Sequence, residues 1–260
     1  MKRRALLIGP NFQDLPGVKV DMNAWHSFLT SPLGGAWSET EICDASELIS
    51  GQALTRQALR PLVQEAWCAD YIFIAFSGHG GTYRREMDAY NLPETYIFLN
   101  DEDCISEREL IPKAYGKRCT ILLDCCRTPD NNIPNIKTAS RIDESAQLLA
   151  KALARKCFDD ELAKCEFGLT RIYSTAPGYA AADVSSFTQC MIAMAKSFLE
   201  NSDRQIITLK EATALASVML KLIHGTQIPV YTAGRRHYHF PFAVKPLLID
   251  SKNDEGNLNP

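Results

Sequence analysis

Tyr71-Ile72-Phe73-Ile74-Ala75-Phe76-Ser77-Gly78-His79-Gly80-Gly81 reads as a buried strand and its exit. Residues 71–76 are aromatic, β-branched or small apolar without alternation, the pattern of a strand covered on both faces, as in a parallel sheet. Ser77-Gly78 ends the run. Working outward, residues 4–8 form a second apolar run, broken by Gly9-Pro10, and residues 120–123 form a third that ends at Asp124. Helical spacing over 20–29 and 54–67 falls between them, and 40–44 reads as a short strand. Apolar strands alternating with helices predict an α/β domain with a mainly parallel sheet.

Beyond Cys126, residues 128–141 hold Pro129-Asp130-Asn131-Asn132 and Pro134-Asn135 and read as a turn-rich linker. A helix is expected over 143–165, a strand over 170–175, helices over 188–199 and 209–223, closing strands over 228–231 and 238–244, and a flexible tail over 251–260. One domain is therefore expected over 1–250, in three parts: 1–127, a linker and helix over 128–168, and 169–250.

The chain has 260 residues, with 28 Lys+Arg against 31 Asp+Glu and a net charge of −3. This balance gives no global basic field, so neither nucleic acid nor an anionic membrane is expected as a partner. The apolar run after Lys2-Arg3-Arg4 is too short for an export signal, and no stretch has the length to cross a bilayer. A cytoplasmic location is expected. The nine cysteines are odd in number and lack paired spacing, so most are read as small buried hydrophobes.

Chemistry is expected beyond the carboxyl ends of the strands. There the sequence places His79, after one strand, and Asp124-Cys125-Cys126-Arg127, after another. If the backbone stays extended, a period of two puts Ser77 with His79 on one face and Asp124 with Cys126 on one face, leaving Cys125 to pack. A histidine and a cysteine on neighbouring strand tips supply a base and a nucleophile. The glycines let a carbonyl approach backbone N–H groups, and the N–H of Gly80 and of Cys126 are the expected oxyanion donors. Taken singly, a histidine, a cysteine after a strand and a glycine-rich turn are usually structural. Together at two strand exits they favour catalysis.

Ser77-Gly78-His79-Gly80 and Asp124-Cys125-Cys126, 47 positions apart from His79 to Cys126, resemble the histidine and nucleophile motifs of the caspase-like cysteine peptidases, where the histidine lies about 50 residues upstream. Within that family the chain resembles the metacaspases and their short bacterial relatives. Leu6 to Gly9, Leu15-Pro16-Gly17 to Asp21, Phe187-Thr188 and Gln227-Ile228-Pro229 extend the resemblance over most of residues 4–244. It implies a caspase-haemoglobinase-like three-layer α/β/α sandwich with large-subunit-like (1–127) and small-subunit-like (169–250) parts.

The resemblance also implies an endopeptidase acting on protein substrates through a Cys126–His79 dyad, in a regulated stress, cell-death or defence response, with a co-encoded effector or regulator as a further partner. Leu15 stands where animal caspases carry an arginine for substrate aspartate, and Val18 where metacaspases often have a cysteine. Asp21, Ser77 and Asp124 match the metacaspase pocket, which implies cleavage after Arg or Lys. No cofactor and no metal ligand is expected; the alternative is calcium at Asp101-Glu102-Asp103, whose oxygens are of the kind calcium takes. The competing functions are an inactive interaction module on this fold and a redox or metal site at Cys125-Cys126. What orients His79 is not readable from the sequence, and the Arg127-Thr128-Pro129 that follows the nucleophile departs from the family pattern. The polar linker, with Lys137 and Arg141, reads as a flexible loop, the alternative being a processing segment.

Overall fold

A computed structural model describes residues 1–46, 53–84, 93–113, 116–127, 147–183 and 186–245. In chain order the elements are β1 (Arg3–Ile8), α1 (Gly17–Thr30), β2 (Ile42–Asp44), α2 (Arg56–Ala66), β3 (Tyr71–Gly78), β4 (Gly80–Arg84), β5 (Pro93–Phe98), β6 (Cys104–Ser106), β7 (Arg118–Cys125), α3 (Gln147–Lys164), β8 (Gly168–Tyr173), α4 (Phe187–Glu200), β9 (Ile206–Thr208), α5 (Leu209–His224), β10 (Val230–Ala233) and β11 (Pro241–Val244). The linker over 128–141 and the tail over 251–260 lie outside the described residues.

The main sheet runs β10-β8-β7-β3-β1-β2. All neighbours are parallel except β10, which lies antiparallel on β8. Every residue of β3 is buried, as its unbroken apolar run requires of a central strand. Strand alternation splits the side chains between two cores. Ala5, Leu7, Phe73, Ala75, Leu122 and Ile172 meet α1, α3, α4 and α5 on one face. Leu6, Ile8, Ile72, Ile74, Phe76, Ile121 and Leu123 meet α2 and the small sheet on the other. The expected three layers are present, and the second helical layer is thin: α2 shares it with the antiparallel sheet β4-β5-β6, whose Ile97 and Ile105 reach the same core.

That small sheet is the main departure from the expected elements. Its strands are short, and one starts at Gly80-Gly81, which the sequence reading takes as a turn. The closing strand expected over 238–244 is shortened to β11 and pairs with β9 in a separate ribbon, not with the main sheet. The nine cysteines are all unbridged. Among the described residues no helix is long and apolar enough to cross a membrane.

Trp25 of α1 is fully buried and meets the rings of Phe28, Phe73 and Phe242 edge-on at centroid distances of 5.2 to 6.1 Å. It joins the first helix, the central strand and the last strand. Trp25→Ala is expected to cost about 3–5 kcal/mol of unfolding free energy, seen as a lower denaturant midpoint.

Candidate active site

β3 and β7 pair in parallel with Ser77 opposite Asp124 and Gly78 opposite Cys125. Their carboxyl ends, the loop from β1 into α1, and the segment after β8 enclose one cleft, lined by Ser77, His79, Asp124 and Cys126 from the strand ends. Asp21 reaches it from the first turns of α1, which starts at Gly17, three residues earlier than the apolar spacing suggests. The alternation expected at the strand exits is observed. Cys126 is half-buried and lines the cleft, whereas Cys125 is buried in the opposite core.

Asp21 and Asp124 are 2% and 4% exposed. Asp21 accepts from Ser77 Oγ (2.8 Å), Ser186 Oγ (2.6 Å) and Gln189 Nε2 (3.0 Å). Asp124 accepts from the Thr188 N–H at 2.8 Å. The last three of these donors belong to the start of α4: Ser186 caps the helix by accepting from the Gln189 N–H, and Thr188 offers one of its unpaired first-turn N–H groups. The positive end of α4 thus faces two carboxylates. Burial pushes both carboxyls up, Asp21 to about 7, with the Asp124 charge adding to it, and Asp124 to about 6. No ion pair to either is found among the described residues.

The Cys126 thiol is engaged by one backbone group pair, accepting from the Ala181 N–H at 3.3 Å and donating to the Ala181 carbonyl at 3.6 Å. Burial raises its pKa, the Ala181 N–H opposes this, and the charges of Asp124 and Asp183 raise it further. Together these disfavour the thiolate. Ala181 is held by a strap tied to the residue after Cys126: the Arg127 N–H donates to Tyr179 O and the Gly178 N–H to Arg127 O, both at 3.0 Å. The Arg127 guanidinium, buried with its residue, lies 4.1 Å from the Tyr173 ring centre and donates to Thr175 O. Gln227 completes the strap, accepting from the Ala182 N–H and donating to Ser174 O. The departure at Arg127 is thus a packing feature that fixes the strap.

His79 contacts Asp14, with Nε2 3.0 Å from Oδ2. Asp183 receives the Gly17 N–H at the start of α1, and a Cβ on Gly17 would lie 2.3 Å from Asp183 Oδ1. Asp14, Asp183, Ser186 and Gln189 are the residues that sequence reading missed, since none carries a motif and all come from connections or a helix start distant in the chain. Gly80 is not among the residues lining the cleft; it opens β4, where a Cβ would lie 2.6 Å from Cys125 Sγ. Asp101-Glu102-Asp103 lies outside the cleft, in the turn between β5 and β6, with Asp103 accepting the Arg56 N–H at the start of α2.

The sequence profile of the caspase domain family, peptidase family C14, matches residues 2–240. The chain belongs to the caspase domain family. This caspase domain is 30% identical over 144 residues to metacaspase-7 of Arabidopsis thaliana, covering 49% of this chain and 35% of that protein. It therefore spans about a third of that relative's length. In structure it is similar to caspase-1 from Spodoptera frugiperda, with a TM-score of 0.54 and 13% identity, covering 89% and 86% of the two chains. A Geobacter sulfurreducens structural-genomics protein gives 0.58 and 16%, covering 94% and 99%. These two likenesses show the fold, an α/β caspase-like domain.

A carboxyl whose folded pKa lies above its unfolded value binds more protons when folded, so its contribution to stability is lost as pH rises through the folded value. Asp21 is such a group. Asp21→Asn is expected to raise the melting temperature by about 2–6 °C at about pH 8, and the gain should shrink below about pH 6. Thermal melts across that range check it.

Proposed function

We propose that this protein is a cysteine endopeptidase that cuts protein substrates after arginine or lysine, with Cys126 as nucleophile and His79 as its base. The observation that carries the specificity is the pair Asp21 and Asp124, buried side by side in the cleft with hydrogen bonds but no cation among the described residues. Two carboxylates held out of water raise each other's pKa, and a guanidinium or ammonium between them restores their charge through charge-assisted hydrogen bonds. Ser77 lies between strand and acid as a further polar wall. Leu15 and Val18, apolar in the same cleft, offer nothing to a substrate aspartate.

The chemistry follows from the groups at the strand tips. His79 takes the thiol proton of Cys126, and the thiolate attacks the scissile carbonyl carbon. The resulting oxyanion is met by the N–H of Cys126, which lines the cleft. His79 then gives the proton to the leaving amine as the C–N bond breaks, and water hydrolyses the thioester with His79 again as base. Substrate contributes to its own activation. The charge of Asp124 disfavours a thiolate at Cys126, and a bound cation cancels that charge. A redox pair at Cys125-Cys126 is disfavoured, because Cys125 faces the opposite core.

Cys126→Ala is expected to abolish cleavage of a protein substrate, while Cys125→Ala retains much of it; the reverse pattern overturns the assignment. A peptide library varied at the residue before the cut should select Arg and Lys, and a preference for Asp or an apolar residue sinks the pocket reading. Protons compete with the substrate cation for Asp21 and Asp124, so KM for an arginyl amide should rise as pH falls from about 8 through the range of about 7 to 6 where the two carboxyls protonate. Initial-rate kinetics against pH read this directly.

A further inference from the structure

A neutral imidazole carries one N–H and one lone pair, and an ionised carboxylate has no hydrogen to give. His79 Nε2 lies 3.0 Å from Asp14 Oδ2, so Nε2 holds the hydrogen and donates it. The lone pair then sits on Nδ1, the nitrogen left to receive a proton.

One short segment builds this arrangement. Between β1 and α1 the chain makes three successive turns, the N–H groups of Phe12, Leu15 and Val18 donating to Pro10 O, Phe12 O and Leu15 O, each at 3.2 Å. The first brings Phe12, itself 9% exposed, edge-on to the imidazole at 4.6 Å and 71°. The second sets Asp14 at Nε2. The ring is gripped by an aromatic edge and by a charged hydrogen bond, both from the same loop.

We infer that Asp14 is the positioning residue for His79, holding the imidazole in the tautomer with hydrogen on Nε2 and stabilising the imidazolium that forms during catalysis. This rests on the reading of His79 as the base for Cys126. The proton leaves Cys126 Sγ and goes to His79 Nδ1, while the Nε2–H stays donated to Asp14. The proton is not handed on to Asp14; it passes from Nδ1 to the leaving amine. Without this carboxylate the thiol would lose its proton to a ring free to rotate and to carry its hydrogen on either nitrogen.

The other charged and titratable groups in the cleft act differently. Asp183, from the segment after β8, spends its hydrogen bond on the Gly17 N–H, and burial raises its pKa, with the charge of Asp14 adding to this and that of His79 opposing it. Asp124 is held at the start of α4, Asp21 is bound by Ser77, Ser186 and Gln189, and Cys126 contacts Ala181. Asp14 alone among them hydrogen-bonds the imidazole in the described residues. Its side chain is 66% exposed, so solvent screens it, and its effect should be far below that of a buried triad aspartate.

The test is the rate of Cys126 carboxamidomethylation by iodoacetamide, followed by intact mass and peptide mapping from about pH 5 to pH 9. This reaction needs no substrate pocket. It is run on the wild type and on Asp14→Ala, Asp14→Asn, Asp14→Glu and His79→Ala, beside kcat and KM for an arginyl amide. Asp14→Asn should slow alkylation at about pH 7 and lower kcat by about tenfold, with KM changed less than about twofold. The pH of half-maximal alkylation should move upward, because the thiolate forms only as far as the imidazolium is stabilised. Asp14→Glu should recover most of the loss, which a purely structural role for the loop would not require.

If Asp14→Ala and Asp14→Asn stay within about twofold of the wild type in rate and profile while His79→Ala loses alkylation, the base reading stands and the role of Asp14 is overturned. If His79→Ala also leaves alkylation unchanged, the dyad and this inference fall together.

Discussion

Ser77 stands opposite Asp124 in the parallel ladder between β3 and β7, and the site depends on that register. Side chains in a strand alternate with a period of two, so a slip of β7 by one residue would turn Asp124 away from the cleft and bring Cys125 to it in place of Cys126. The register is secured by burial on both faces. Ile72, Ile74 and Phe76 of β3 lie with Ile121 and Leu123 of β7 in one core, and Phe73 and Ala75 lie with Leu122 in the other. Neither face tolerates the wrong set. The hydrophobic effect thus places a polar constellation that contributes nothing to it.

That constellation works against stability. Two carboxylates removed from water are costly unless charge or hydrogen bonds compensate them. Here the compensation is partial and comes from Ser77 of β3 and from the start of α4, through Ser186, Thr188 and Gln189. The carboxyls answer by holding their protons to higher pH. A cationic side chain would supply the charge that the fold withholds, which is the ground of the proposed specificity. Burial, with the charges of Asp124 and Asp183 adding to it, pushes the Cys126 thiol up, and the Ala181 strap occupies its hydrogen-bonding capacity. Cys126, the two carboxyls and the strap therefore share one low-dielectric cleft.

Much of this was legible before folding. Periodicity located β1, β3 and β7 within a few residues, because central parallel strands leave long apolar runs, and it located α4 and α5 because amphipathic helices leave a 3.6-residue spacing. The sheet β4-β5-β6 escaped because strands this short, one opening on Gly80-Gly81, carry no periodic signal above that of a turn. The pairing of β11 with β9 escaped because a strand's sequence does not record its partner. Cys126 over Cys125 was readable from alternation after Asp124, a local rule that needs only an extended backbone.

Sequence by itself therefore determined the parts whose physics is local: the apolar strands, their exits, the histidine and cysteine motifs, and through them the resemblance to the caspase-like family that the match over residues 2–240 bears out. Tertiary structure alone decided which distant groups meet there. Asp14 contacts His79 across 65 positions, Ser186 contacts Asp21 across 165, and the Gly17 N–H contacts Asp183 across 166. These contacts depend on how loops and helix ends are carried by the sheet. A single aspartate in a connection reads as solvated in any sequence, and only the closing of the fold around it turns its carboxylate toward a particular ring nitrogen.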